Sequence, residues 1–176
     1  MEDIRFVTRQ QWRAQPSSFV PTMNPPAKMI MFGFPQQQYA PKGKPWLGSR
    51  PSYESAVSEI KFIQKMDLKK YPDIKYNFLI APDGIVFEGR GWDKVPTLPS
   101  KYRIFSHLSY YIMFIGDFIN EPPGDEYYIA RNKLLQFGVR HNYLCKRFLL
   151  YTLNSNIKSP NEAYDFNKRS LTGSKF

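Results

Sequence analysis

Two histidines and one cysteine are the side chains of this sequence best suited to hold a catalytic metal. A hydrolytic zinc site needs about three protein ligands and an open position for water. His107 lies in Phe-Ser-His-Leu-Ser and His141 in Val-Arg-His-Asn-Tyr, and neither has a histidine, cysteine or carboxylate companion at metal-binding spacing. We therefore predict that the chain uses no metal or other cofactor, and that both histidines are surface or capping residues.

The single cysteine, Cys145, allows neither an intramolecular disulfide nor a cysteine-based zinc cage. It lies in Asn-Tyr-Leu-Cys-Lys-Arg, and buried cysteines usually behave as small apolar side chains. We expect that structural role here.

The chain is basic, with 25 Lys and Arg against 15 Asp and Glu and a formal charge of +10. Such a field favours anionic partners, such as nucleic acid, acidic lipid or cell-wall polymer. However, the basic residues are scattered in short clusters at 69–70, 146–147 and 168–169. No basic helical stripe, zinc finger or helix-turn-helix pattern is evident. We interpret the charge as a solvated surface and do not expect nucleic acid as the partner.

Five runs have the length and composition of strands. Met29–Phe34 and Ser109–Phe118 are nearly continuous apolar runs, as expected of strands covered on both faces. Lys75–Ile80 and Ile85–Glu88 are separated by Ala-Pro-Asp-Gly, which predicts a hairpin because proline and glycine suit its turn. A fifth strand is expected at Phe148–Leu153.

Three segments show helix signals. The first helix should begin after Pro51, with Ser52 as its cap, and end at Tyr71-Pro72. Asp125 can cap a second helix, and Ser159-Pro160 resembles the start of a third.

These elements predict an α/β fold, with a central mixed β-sheet of about five to six strands flanked by about three helices. The length fits a single domain over residues 1–176, with a core at 6–166 and a basic tail at 167–176. No apolar run reaches the ~18 residues of a membrane span. The opening Met-Glu-Asp-Ile-Arg does not resemble a signal peptide.

Four stretches, taken in chain order, form a specific pattern. They are Thr8-Arg-Gln-Gln-Trp12-Arg-Ala14, Ile63-Gln64-Lys-Met66-Asp67, Tyr76-Asn77-Phe78-Leu79-Ile80 with Asp83-Gly84 and Phe87-Glu88-Gly89-Arg90-Gly91-Trp92, and Phe114-Ile115-Gly116-Asp117-Phe118. Over about residues 6 to 166 the chain resembles the peptidoglycan recognition protein family. The resemblance implies the fold of bacteriophage-type zinc amidases. Active members cleave the bond between N-acetylmuramic acid and L-alanine, others only bind the polymer, and some regulate innate immune signalling without binding it.

The resemblance also implies where zinc would be held, by two histidines and a cysteine. Phe32-Gly33 stands at the first histidine, and Tyr151 at the second, or Asn154 or Ser155 if the following loop is shorter. Ser159 stands at the cysteine. None of these side chains is an imidazole or a thiolate, so we predict that the chain is not an amidase.

Other positions of the implied ligand groove are changed as well. Tyr76 matches the tyrosine that assists zinc chemistry, and without zinc it should either pack or line a vestigial groove. Gly91-Trp92 matches a pair that accompanies preference for diaminopimelate-type stems. The arginine that supports this preference is absent from the segment of His107 and Leu108, and neither can imitate its bidentate pairing with a carboxylate.

Bulky side chains are also expected in that groove. Phe32 and Phe34 would put rings on its floor, and Tyr111 replaces an expected glycine. Thr97 lies in the wall segment that has lost a family histidine. The cysteines of the family's disulfide, expected near Arg50 and Ala56, are also missing.

We therefore predict a non-catalytic regulatory member, similar to the long-type insect branch, that modulates immune signalling through a pathway or family-member protein partner. Phe32, Phe34, Tyr110, Tyr111 and Trp92 are the candidates for an aromatic groove or contact surface, and core packing is the favoured role for any single one of them. The alternatives are a true muropeptide receptor with a reshaped groove and a binder of anionic polymers. A membrane would be reached only through segments outside this chain. The family resemblance favours an extracellular or membrane-anchored ectodomain, and the lack of disulfides allows an intracellular one.

Overall fold

A computed structural model describes residues 4–34, 52–116, 118, 122–153 and, for the backbone alone, 162–165. Within these residues a mixed sheet of seven strands is accompanied by two α-helices and one 3-10 helix. The expected mixed α/β architecture is confirmed. The strands are β1 (Phe6–Val7), β2 (Ala27–Gly33), β3 (Phe78–Ile80), β4 (Val86–Glu88), β5 (Ser109–Phe114), β6 (Leu144–Thr152) and β7 (Glu162–Asp165). The helices are α1 (Tyr53–Asp67), the 3-10 helix (Ser100–Leu108) and α2 (Asp125–Arg140).

The strand order is β1-β4-β3-β5-β2-β6-β7. The central strands β3, β5, β2 and β6 are parallel to one another. β4 is antiparallel to β3, and β7 is antiparallel to β6. Because the four central strands run in the same direction, their carboxyl ends meet at one edge of the sheet.

The two clearest strand predictions are confirmed. All six residues of β5 are buried, as a strand covered on both faces requires. β5 ends at Phe114, four residues before the predicted end. The hairpin forms between β3 and β4, and Gly84 adopts the positive φ of 75° that its turn needs.

The sheet separates two cores, because alternate strand residues point to opposite sides. We call the side packed on α1 the α1 face and the side packed on α2 the α2 face. The α1 face carries Trp12, Met31, Ile60, Ile63, Tyr76, Leu79, Phe87, Tyr111 and Met113. The α2 face carries Ile30, Phe32, Phe34, Phe78, Trp92, Tyr110, Ile112, Phe114, Tyr127 and Leu134.

Both α-helices begin near their predicted starts. The Ser52 side chain accepts a hydrogen bond from the Ser55 N–H at 3.2 Å, so it is the N-cap of α1 as predicted. α1 ends at Asp67, earlier than the predicted stop at Tyr71-Pro72. Gly124 is the N-cap of α2, and Asp125 is instead its first residue, where a carboxylate is favourable.

Two segments differ from the prediction. The third helix expected from Ser159-Pro160 is wrong, because Glu162–Asp165 form β7 and pair with the edge of β6. Residues 154–161 and the tail 167–176 lie outside the described residues. The 3-10 helix was not predicted, because its nine residues are too few to show a long apolar period in the sequence. In the described part of the chain, no helix is long and apolar enough to cross a membrane.

Glu59 of α1 makes the fold sensitive to pH. Burial raises the pKa of its carboxyl from 4.5 to about 7, and Oε1 has no hydrogen-bond partner among the described residues. The carboxyl is neutral in folded and unfolded chains below pH 4.5, so burial then costs little. Between pH 4.5 and 7 the Glu59 carboxyl ionises in the unfolded chain but stays protonated in the folded one. The free energy of unfolding therefore falls as pH rises through this range.

Replacing Glu59 with glutamine should therefore stabilise the protein only at higher pH. We expect a gain of about 1 kcal/mol at pH 8, after allowing for solvent screening of a partly exposed group, and almost none at pH 4. Thermal melts of both proteins at the two pH values would check this. An equal change in melting temperature at both values would contradict it.

Candidate functional site

Asn77 holds together the segments that surround the predicted groove. Its side chain is fully buried and donates from Nδ2 to the carbonyl oxygens of Gly91 and Lys94, both at 2.8 Å. Its Oδ1 accepts from the Tyr111 N–H at 2.8 Å, and its own N–H donates to the Tyr111 carbonyl at 2.8 Å. One asparagine thus joins the loop after β4 to the central strand β5.

Arg90 fixes the wall segment that contains Thr97. The buried guanidinium donates to the carbonyl oxygens of Ile74 at 2.6 Å and Val95 at 2.5 Å, and to Thr97 Oγ1 at 2.8 Å. Burial lowers the pKa of Arg90 to about 10, so it stays a cation at neutral pH. The Thr97 hydroxyl is occupied by this contact, which gives Thr97 a structural role.

Four tyrosines gather on the α1 face. The rings of Tyr76 and Tyr111 lie 4.6 Å apart, and those of Tyr102 and Tyr151 lie 5.6 Å apart. Tyr111 and Tyr151 are both paired in register with Met31, from β5 and β6 on either side of β2. We call this group of four residues the tyrosine cleft.

Two rings of the tyrosine cleft are buried: Tyr76 is 3% exposed and Tyr111 is 8% exposed. Tyr76 hydrogen-bonds to the Tyr111 phenol. Burial raises the pKa of Tyr111 well above its ordinary value, so the phenol is neutral across the physiological range.

Gly33 of β2 lies beside the Tyr111 side chain. A Cβ added to Gly33 would lie 3.2 Å from both Cε2 and Oη of Tyr111. Because Met31 faces α1, period-two alternation also puts position 33 on the α1 face, at the carboxyl end of β2. Of Phe32 and Gly33, the residue that shares a face with Tyr76 is therefore Gly33, and reading the alternation forward from Met31 would have identified it.

The other aromatic candidates lie on the α2 face, so the expectation of one shared groove is wrong. Phe32 packs edge-on against Phe114 at 4.3 Å and against Phe34 at 5.1 Å, deep in the α2 core. Trp92 is 8% exposed and stacks on Tyr143 at 5.0 Å. These side chains cannot form the floor of a groove that also contains Tyr76.

Tyr110 shares the α2 face, and its hydroxyl donates to the Trp92 carbonyl at 3.0 Å. Phe32, Phe34, Tyr110, Tyr111 and Trp92 are each at most 8% exposed. None of them can serve as a contact surface for another protein. Gly91, beside Trp92, has a positive φ of 66° and its carbonyl accepts from Asn77, so its visible role is in the turn.

The histidines are placed as surface residues. His107 is exposed in the last turn of the 3-10 helix, and His141 is exposed at the C-cap of α2 with its ring 4.1 Å from Phe137. Cys145 is half-buried in β6 and unpaired. The described residues contain no group of three or more His, Cys, Asp or Glu that could hold a metal ion. Ser159 lies outside them.

A surface hollow of about 420 Å³ lies along residues 9–17. Arg9 and Arg13 both line it, and the Arg9 guanidinium forms an ion pair with Asp73 at 2.9 Å and donates to the Gly89 carbonyl at 2.6 Å. Both contacts attach the N-terminal segment to the core. The guanidinium of Arg9 is therefore already paired within the fold.

Comparison with known proteins gives a consistent set of relatives. No protein-family model matches the chain. The solved structure of PGRP-Hd from Alvinella pompejana is 30% identical and superimposes with a TM-score of 0.73 over 84% of this chain and 85% of that one. A solved complex of the peptidoglycan recognition proteins LCa and LCx with tracheal cytotoxin is 28% identical, with a TM-score of 0.71 over 85% of this chain and 84% of that one.

The human protein named peptidoglycan recognition protein 3 is 31% identical over 160 residues. The match covers 90% of this chain and 43% of that protein. The chain therefore spans less than half the length of this relative.

Proposed function

Because the chain belongs to the peptidoglycan recognition protein family, we propose that it is a non-catalytic domain that modulates innate immune signalling through protein contacts, with little or no muropeptide binding. The observation that carries this proposal is the tyrosine cleft. Where a ligand would need open space beside Tyr76, the Tyr111 ring lies against Gly33.

The side chains at the positions where the resemblance implies zinc ligands also support a non-catalytic role. A zinc hydrolase needs imidazole, thiolate or carboxylate ligands and a bound water. Gly33 has no side chain, Tyr151 offers a phenol, and Ser159 in the sequence offers a hydroxyl. Neither Phe32 nor Gly33, the two candidates for the counterpart of the first zinc histidine, has a side chain that can ligate a metal.

Titration of the domain with muramyl peptides tests the proposal. We expect no binding tighter than about 1 mM for diaminopimelate-type or lysine-type fragments by calorimetry, because the Tyr111 ring occupies the position between Tyr76 and Gly33. We also expect the purified protein to contain no stoichiometric zinc and to leave muramyl peptides uncut. Micromolar binding, bound zinc or cleavage would each refute the proposal.

A muropeptide receptor with a reshaped groove is the second candidate. It is favoured by the retained Gly91-Trp92 pair and by the related LCa–LCx complex, which holds tracheal cytotoxin. It is weakened by the position of Trp92, which is buried on the α2 face. The same titration separates the two candidates, since a receptor must give a saturable signal.

The protein partner we propose is a signalling component or a second peptidoglycan recognition protein. The related LCa–LCx complex is an assembly of two such proteins. Since the buried aromatic residues cannot make this contact, we propose that it is made by the exposed aliphatic side chains of the 3-10 helix, which also carries Tyr102. Ile104 is 82% exposed and Leu108 is 43% exposed.

A further inference from the structure

Tyr111 and Gly33 depend on each other for space. Among the atoms that would meet a Cβ on Gly33, the three nearest all belong to the Tyr111 ring. A contact of 3.2 Å is tighter than ordinary carbon packing, so even a methyl group would force the ring to move. A glycine at position 33 therefore permits the tyrosine at position 111.

The Tyr111 ring is also held in place from the other side. Tyr76 packs on it at 4.6 Å and hydrogen-bonds to its phenol. Its backbone is clamped by Asn77, through both the N–H and the carbonyl. The Tyr111 ring therefore has packing partners on both sides, and its backbone is hydrogen-bonded to Asn77.

We propose that Tyr111 is the residue that excludes muramyl peptides from the tyrosine cleft, with Gly33 accommodating its ring. This inference rests on the proposed function and gives it a single structural cause. Removing the ring would leave a hollow at the carboxyl end of β2, floored by Gly33 and Met31. The Tyr76 hydroxyl, which hydrogen-bonds to the Tyr111 phenol, would then be available to a peptide stem, whose amides need such polar partners and whose methyl groups can pack on Met31.

The decisive variant is Tyr111→Ala, with Tyr110→Ala as the matched control. Both remove a tyrosine ring from adjacent positions of β5, but Tyr110 faces α2, so only Tyr111→Ala opens the cleft. Tyr111→Leu is the second variant, because it keeps apolar packing in the strand if the alanine variant does not fold.

Two probes are added to each variant. The first is p-cresol, which replaces the missing ring and reports through thermal stabilisation that a hollow exists. The second is a diaminopimelate-type muramyl tripeptide, measured by calorimetry. For Tyr111→Ala we expect p-cresol to raise the melting temperature and the tripeptide to bind at least about ten-fold more tightly than to the wild type. Tyr110→Ala should not gain tripeptide binding.

The outcomes separate this inference from the proposed function. A Tyr111 variant that folds but binds the tripeptide no better than the wild type overturns the exclusion role of Tyr111, and so does a folded Tyr111→Ala that p-cresol does not stabilise. Tight binding by the wild type instead overturns the proposed function, because Tyr111 is then present and does not exclude the ligand.

A double-mutant cycle tests the role of Gly33 independently of any ligand. Gly33→Ala should raise the unfolding equilibrium constant about ten-fold when Tyr111 is present, and less than about two-fold in the Tyr111→Ala or Tyr111→Leu background. Equal effects in both backgrounds would show that Gly33 does not accommodate the ring, and would overturn that part of the inference.

Discussion

Replacing Asn77 with alanine is expected to lower the free energy of unfolding by about 4 kcal/mol. The substitution removes three hydrogen bonds of 2.8 Å from a fully buried side chain. It leaves the Gly91 and Lys94 carbonyls and the Tyr111 N–H without those partners. Since each buried polar group that loses its partner costs about 1–3 kcal/mol, the combined loss is a large fraction of the stability of a typical domain.

Urea denaturation of the variant and the wild type measures this loss directly. Asn132→Ala is the matched control, because Asn132 is only partly buried and, among the described residues, its side chain accepts hydrogen bonds only from the neighbouring Arg131. We expect the control to stay within about 0.5 kcal/mol of the wild type. If the two alanine variants lose similar stability, the network around Asn77 is not what joins β5 to the loop after β4.

Replacing Gly89 with alanine should be almost as damaging, for a steric reason. A Cβ at Gly89 would overlap the carbonyl oxygen of Tyr76, which is backbone and cannot rotate away. The same two segments are already joined by the Arg90 N–H to the Tyr76 carbonyl and the Gly89 N–H to the Asn77 carbonyl, both at 2.8 Å. We expect a loss of about 3 kcal/mol, since backbone must move to accept the methyl group.

Gly124→Ala is the comparison for this second substitution. The Cβ there would meet only the Glu126 carboxylate, at the end of a flexible side chain, so the neighbour can move at little cost. We expect the control to lose about 1 kcal/mol or less, mainly through a weaker helix cap. Equal midpoints of denaturation for the two variants would contradict the close approach of the backbone at Gly89.

The sequence predicted the parts of the fold that depend on local patterns. The continuous apolar run of β5, the hairpin turn at Gly84 and the cap at Ser52 each have a short-range physical cause, and each is confirmed. β7 could not be found in this way, because its residues pair with β6 through backbone contacts that leave no apolar period in the sequence. The 3-10 helix escaped prediction for a similar reason.

The site was harder to predict than the fold. Aromatic residue types were identified correctly, but the sheet face of each was not assigned. Phe32 and Gly33 are adjacent in the sequence, yet only Gly33 meets Tyr111 on the α1 face. A shift of one residue along a strand exchanges the two faces, so a motif match alone cannot say which side chain reaches a cleft.

The division of the core by the sheet also gives the protein two separate optical probes. Trp12 is buried on the α1 face and donates to the Glu88 carbonyl at 2.8 Å, whereas Trp92 is buried on the α2 face against Tyr143. With the third tryptophan, Trp46, replaced by phenylalanine, the fluorescence of Trp12 and of Trp92 would each report on its own half of the molecule. Loss of the two signals at different denaturant concentrations would reveal halves that melt separately, and loss at the same concentration would show that the molecule unfolds as one cooperative unit.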